Sequence, residues 1–196
     1  MLLHARMRSL LAASLLAAAT TTASAGGFIG LGVGTAPSVS DSNDSPYFSD
    51  GRSLRLQAGY GLELKTGRLS FEGAYSGFGY IMGNSIGDGK YDSRTLQADL
   101  KYNFPLGQGF EVFGRLGLLR TSVSAHTEGV QMFSGDGNGY LLGLGAEYRL
   151  PAFGSVFIDY TRDSATFDAS FDAGYQNTPE TSQSSSMWMA GLNFYL

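Results

Sequence analysis

Apolar and polar residues alternate one by one through most of this chain, and the alternation repeatedly breaks and restarts. Residues 187–196 show it most cleanly, with Trp188, Ala190, Leu192, Phe194 and Leu196 on one parity. A period of two puts successive side chains on opposite faces of a strand. About ten residues is also what a tilted strand needs to cross the hydrocarbon core of a bilayer. Seven other segments repeat the pattern and predict strands over 26–35, 53–64, 69–80, 95–104, 110–123, 140–150 and 155–166. Their apolar parity carries Ile29, Leu31 and Val33, then Leu54, Leu56, Tyr60, Leu62 and Leu64, and so on to Val156, Ile158 and Tyr160.

The breaks alternate in length. Residues 36–51, 81–92, 125–138 and 168–184 are long and rich in Gly, Ser, Asp and Asn, which reads as loop. Residues 65–67, 105–109 and 151–154 are short turns. Long connections at one end and short turns at the other are the layout of an outer-membrane barrel. The reading is an all-β fold: an eight-stranded antiparallel up-and-down transmembrane β-barrel, with both termini on the short-turn side. A soluble lipocalin-like barrel would show the same alternation with its apolar face turned inward. Two features favour the membrane form. The polar parity is dense in Gly, Ser and charge, which suits a tight lumen. The apolar parity places Phe71, Tyr75, Tyr102, Phe104, Tyr148, Tyr160, Trp188 and Phe194 near strand ends, as an aromatic girdle would require. Gly30, Gly32 and Gly34 make a poor strand face in a soluble sheet, but in a narrow barrel they leave room for large side chains from the opposite wall. Only a fragment of a dinucleotide fingerprint is present there: position 35 is Thr, and no helical pattern follows.

The N-terminus changes the domain picture. Arg6 and Arg8 precede an apolar run over 10–19, and Ala23-Ser24-Ala25 is a small-x-small site. These are the parts of a secretory signal peptide, too short to span a bilayer as a helix. Residues 1–25 are therefore expected to be a cleaved leader and 26–196 a single barrel domain. Cleavage leaves eleven basic residues against 17 acidic ones, a net charge near −6, which excludes the basic footprint of a nucleic-acid binder. Cysteine is absent, so closure of the hydrogen-bonded sheet must do what disulfides do in many exported domains.

Candidate chemistry falls on the inward parity. Glu63, Glu72, Asp99, Glu111, Glu147 and Asp159 face Lys101, Arg115 and Arg149, mostly in the half of the lumen near the short turns. Unpaired charge in a low-dielectric space is costly, so these groups should interlock as a lumen charge network. Arg115 is expected at its centre, because a planar guanidinium can hold two carboxylates. The network reads either as a structural plug or as a gate for small ions or solutes. For catalysis, Ser122, Ser124, His126 and Glu128 share a parity, but it points toward lipid, so no catalytic set is assigned. Asp41-Ser42-Asn43-Asp44 and Gly135-Asp136-Gly137-Asn138-Gly139 offer oxygen ligands without the spacing or closing Glu of a calcium loop. No metal or cofactor site is assigned.

A resemblance accompanies these patterns. Phe110-Glu111-Val112-Phe113-Gly114-Arg115-Leu116-Gly117 is similar to the fifth strand of the barrel domain in the OmpA-like small outer membrane β-barrel family. Gly145-Ala146-Glu147-Tyr148 and Phe157-Ile158-Asp159-Tyr160 resemble that family's sixth and seventh strands. Trp188, Leu192, Phe194 and Leu196 resemble the closing-strand signal read by the outer membrane assembly machinery, with Leu where the family usually ends in Phe. The resemblance implies a barrel-only member located in a Gram-negative outer membrane. Its implied partners are outer membrane lipids, lipopolysaccharide and the assembly machinery. The expected role is a small non-enzymatic barrel with a structural or surface-interaction function and a lumen plugged by charge. The alternatives are a narrow pore and, in another class, a lipid A-modifying enzyme.

Overall fold

The computed structural model describes residues 25–35, 38–40, 52–84, 87–127, 130–151, 153–170 and 181–196. All of its regular structure is strand: β1 (Ala25–Thr35), β2 (Ser38–Ser40), β3 (Arg52–Leu64), β4 (Gly67–Asn84), β5 (Gly87–Gly107), β6 (Phe110–Thr127), β7 (Val130–Leu150), β8 (Gly154–Ser170) and β9 (Thr181–Tyr195). From β3 to β9 each strand pairs antiparallel with the next, and β1 pairs with both β3 and β9. The sheet therefore closes on itself. The seam pairing of β1 with β9 stops at Gly34↔Met189 and resumes as β2 at Ser38↔Ser186, so β1 and β2 together form one wall of an eight-stranded barrel. Closure leaves no sheet edge unpaired, the condition for a sheet to survive in hydrocarbon.

Burial follows the predicted parity and inverts the soluble pattern. Leu31, Leu54, Leu56, Leu96, Leu116, Leu144, Ile158 and Leu192 point outward and are exposed, whereas Arg55, Glu72, Lys101, Arg115, Glu147 and Asp159 are buried inside. On β3 the apolar band runs from Leu54 to Leu64. Ten strand steps tilted by about 40° span roughly 26 Å, the height of an outer-membrane apolar band.

The short turns fall at one end. β3 turns into β4 at Lys65–Thr66, β5 into β6 at Gln108–Gly109, and β7 into β8 around 151–153. Gly107 and Gly109 take φ of 107° and 85° around Gln108 at 53°, a left-handed corner that Gly adopts at low cost.

The long loops are shorter than the sequence implies. Most of 81–92 is ladder, with pairs such as Ile81↔Lys90 and Asn84↔Gly87. β6 and β7 absorb most of 125–138, and β9 begins at Thr181, inside the segment expected to be loop. Gly, Ser and Asp are poor strand formers on their own. Here they continue hairpins already registered by the apolar band, and the continuing ladder satisfies their backbone groups. Residues 1–24, all but the last of the expected leader 1–25, and residues 41–51 of the expected first loop lie outside the described residues.

Candidate functional site in the barrel interior

Inward positions from Arg55 on β3 down to the rim at the short turns carry an unbroken ladder of opposite charges. Arg55 on β3 meets Asp159 on β8 at 2.9 Å. Asp159 meets Arg115 on β6 at 3.3 Å, and Arg115 meets Glu72 on β4 at 2.9 Å. Lys101 on β5 stands 2.7 Å from Glu72 and 3.3 Å from Glu147 on β7. Arg68 joins Glu147 at 2.8 Å to Glu111 at 3.4 Å. Arg149 closes the sequence at the rim, 2.6 Å from Glu111 and 2.7 Å from Glu63. Asp99 is a side branch, 3.9 Å from the Arg115 Nε. All nine predicted network residues are thus brought together.

Two cations were missing from the sequence-based set. Arg55 has the inward parity but was not counted, and Arg68 lies one residue before the predicted strand 69–80. With both included, five cations face the six carboxylates of the network, with Asp163 half-buried on the same inward parity of β8, and the expected excess of acid shrinks. Such balance is what a dry interior requires, since an uncompensated charge there costs several kcal/mol.

Arg115 contacts three carboxylates, as its fork geometry suggested, but the densest node is Glu147. It accepts hydrogen bonds from Arg68, Lys101, Asn103, Ser155 and the Tyr195 hydroxyl. Aromatic faces cover the cations. Lys101 Nζ lies 5.0 Å from the Phe113 ring centroid and 5.5 Å from that of Phe28, and Arg68 lies 5.3 Å over Tyr195. Glycines opposite make space for these rings: a Cβ at Gly145 would collide with Phe113, and one at Gly191 with Phe157.

Apolar side chains share this interior and extend it away from the turns. Phe113, Phe157, Met187 and Met189 form one buried cluster beside the charges. Leu119, Val123, Leu141, Ala165 and Phe167 form a second, toward the long-loop end. Alternation alone did not mark the second cluster, because it continues the inward parity with apolar residues.

The remaining sequence candidates sit elsewhere. Phe71, Tyr75, Phe104, Tyr148, Tyr160, Trp188 and Phe194 face outward and Tyr102 is half-buried, its hydroxyl 2.8 Å from Thr66 Oγ1. Phe71 pairs with Tyr60 and Leu100, two outward steps inside the rim. Tyr60, Phe110, Tyr140 and Phe153 add exposed rings that the girdle reading lacked. The Phe110 and Tyr148 rings meet at 4.6 Å, and those of Tyr160 and Trp188 at 5.1 Å. Trp188, Leu192, Phe194 and Leu196 line the outer face of the closing strand, and the Leu196 amide donates to the Gly27 carbonyl. Residues 135–139 are not a loop but part of β7, where Asp136 accepts from Ser122 Oγ and lies 3.5 Å from Arg120. Among the described residues no three His, Cys, Asp or Glu side chains gather as metal ligands. Ser122 points outward and is exposed; Glu128, the His126 side chain and residues 41–44 lie outside the described set.

Fold, inverted burial and interior charge together define a small outer membrane barrel. Residues 9–194 match the family model described as outer membrane protein beta-barrel domain, and the chain belongs to that family. It is a protein of the bacterial outer membrane. No curated protein sequence matches the chain. Among solved structures, the Neisserial surface protein A superposes with a TM-score of 0.59 at 17% identity, covering 89% of this chain and 99% of that one. The attachment invasion locus protein Ail of Yersinia pestis gives 0.55 at 14% identity, covering 88% and 97%. These likenesses concern the fold.

Proposed function

We propose that this protein is a non-enzymatic outer membrane barrel whose interior is closed and whose role is structural or one of surface interaction. The observation that carries the reading is the ladder from Arg55 to Glu63, which crosses the lumen with every charge paired. The two apolar clusters support it, because one packs among the charges and the other stands in series with them. Function then falls to what the barrel shows outside: its lipid-facing wall and the external connections on a rigid scaffold. Its partners on this reading are outer membrane lipids, lipopolysaccharide and, during insertion, the assembly machinery meeting the closing strand.

Planar-bilayer recording tests the closed interior. The refolded barrel is expected to give no steady unitary openings, and a stable conductance would replace this reading with that of a narrow pore. The non-enzymatic part is tested by incubation with lipid A and mass spectrometry. No acyl gain or loss is expected; a mass change abolished by His126→Ala would assign a lipid-modifying enzyme.

A further inference from the structure

The outer wall ends in arginines on one side only. Arg52, Arg94, Arg120 and Arg162 are exposed and share the outward parity of the apolar band. Each stands one outward step beyond that band, past Leu54, Leu96, Leu118 and Tyr160 respectively. All four are at the long-loop end. At the short-turn end the outward positions are Leu64, Phe104, Phe110, Tyr148 and Phe194, without arginine. Arg120 is paired with Asp136, whereas Arg52, Arg94 and Arg162 form no ion pair among the described residues.

Below Arg52 the wall is hollowed. A cleft of about 910 Å³ spans the seam and is lined by Val33, Leu54, Ile158, Trp188 and Ala190 with Arg52 at its polar end. It lies where β1–β9 pairing is interrupted, and there the Trp188 amide donates to Thr35 Oγ1 instead of continuing the ladder. The volume is in the range of clefts that hold small organic ligands. A second cleft on the wall, about 370 Å³ beside Phe71, Leu100, Leu116 and Tyr140, has no arginine in its lining.

We propose that the seam cleft is a binding site for a phosphorylated acyl lipid of the outer leaflet, lipid A: an acyl chain fills the apolar trough and Arg52 holds the phosphate. An apolar trough alone would take any lipid chain. The guanidinium at the membrane boundary selects an anionic, phosphate-bearing headgroup. The remaining arginines extend a collar that meets neighbouring phosphates. This site deepens the lipid partnership proposed above and does not depend on a closed lumen.

The chain has one tryptophan, Trp188, and it lines the cleft, so the site carries its own probe. The full barrel is refolded into vesicles of dibrominated phosphatidylcholine, whose bromines quench Trp188, and unbrominated lipid A is titrated in. Quenching is expected to be relieved beyond simple dilution, with lipid A preferred over phosphatidylcholine by about fivefold or more, the effect of one arginine near an anionic lipid surface. Dephosphorylated lipid A should lose that preference. Arg52→Ala should reduce it to near one, with Arg52→Lys intermediate, and Ala190→Phe should abolish it by filling the trough. Arg94→Ala should leave it unchanged. Heat-modifiable gel migration confirms that each variant is folded. Relief equal to dilution in the unmodified barrel, or a loss with Arg94→Ala as large as with Arg52→Ala, overturns the site.

Discussion

Single residues inside this barrel differ sharply in what they hold. Glu147 is fully buried and satisfies Arg68 and Lys101 together, whereas Glu63 at the rim shares Arg149 with Glu111. Removing one side of a buried pair leaves the other charge stranded, which costs about 3–5 kcal/mol. Arg68 keeps a contact to Glu111 and Lys101 keeps Glu72, so Glu147→Ala should fall at the lower end, about 3 kcal/mol. Glu63→Ala removes a half-exposed pair whose arginine retains its other carboxylate, and should cost about 0–1 kcal/mol. Urea unfolding of both variants in lipid vesicles measures the difference, and equal midpoints would refute the ranking. Glycine can be argued the same way. An inward Cβ at Gly145 would meet both the Phe113 ring and the Ile158 carbonyl. Gly145→Ala is thus expected to lower stability by about 1–3 kcal/mol, as overpacking does, although alanine favours an ordinary strand more than glycine does.

Among the elements, the strands continue beyond the membrane as paired ribbons. Thr166, the last residue of the predicted strand 155–166, faces Ser182 in the segment 168–184 that reads as loop, with their hydroxyls 3.2 Å apart. The chain has no cysteine of its own. Thr166→Cys with Ser182→Cys should therefore form one intramolecular disulfide on mild oxidation, visible as a linked peptide in non-reducing mass spectrometry. A mobile loop there would give little linkage. The contrast also shows what the sequence could and could not disclose. In the band, one face meets hydrocarbon and the other the lumen, so alternation is compulsory and the strands of the band, with their in-out assignments, were readable. Beyond the band the outer face meets water, even where the inner face stays buried, as at Val123, Ala165 and Phe167. No pattern is enforced, and pairing is inherited from the strands below. For the same reason Arg68 was missed: it sits at a turn, where parity is hard to phase, although it is a central cation of the ladder. Leu119, Val123 and Leu141 were missed because an apolar inward residue looks like noise in an alternating strand, and only their packing together reveals a layer.

For the whole molecule, the interior has two tiers in series: the ionic ladder interleaved with Phe113, Phe157, Met187 and Met189, then the Leu119–Phe167 cluster toward the long-loop end. Barrels of eight strands leave an interior only wide enough for side chains, so each tier blocks passage alone. This arrangement distinguishes a gate from a filled core. If the ladder were the only barrier, Arg115→Ala would open the barrel, because it frees Glu72, Asp99 and Asp159 from their shared cation. With apolar packing beside and beyond it, Arg115→Ala should destabilise the barrel by about 3–5 kcal/mol through its stranded carboxylates and still show no steady conductance. Steady openings are expected only when the apolar packing is also cut, for instance by adding Phe157→Ala, Met189→Ala and Leu141→Ala. Planar-bilayer recordings of the single and combined variants, with folding checked by gel migration, separate these outcomes. Openings from Arg115→Ala alone would make the ladder a gate and the apolar packing permeable. Silence from the single variant and current from the combination would make the charges a stability device and place the barrier in the packing.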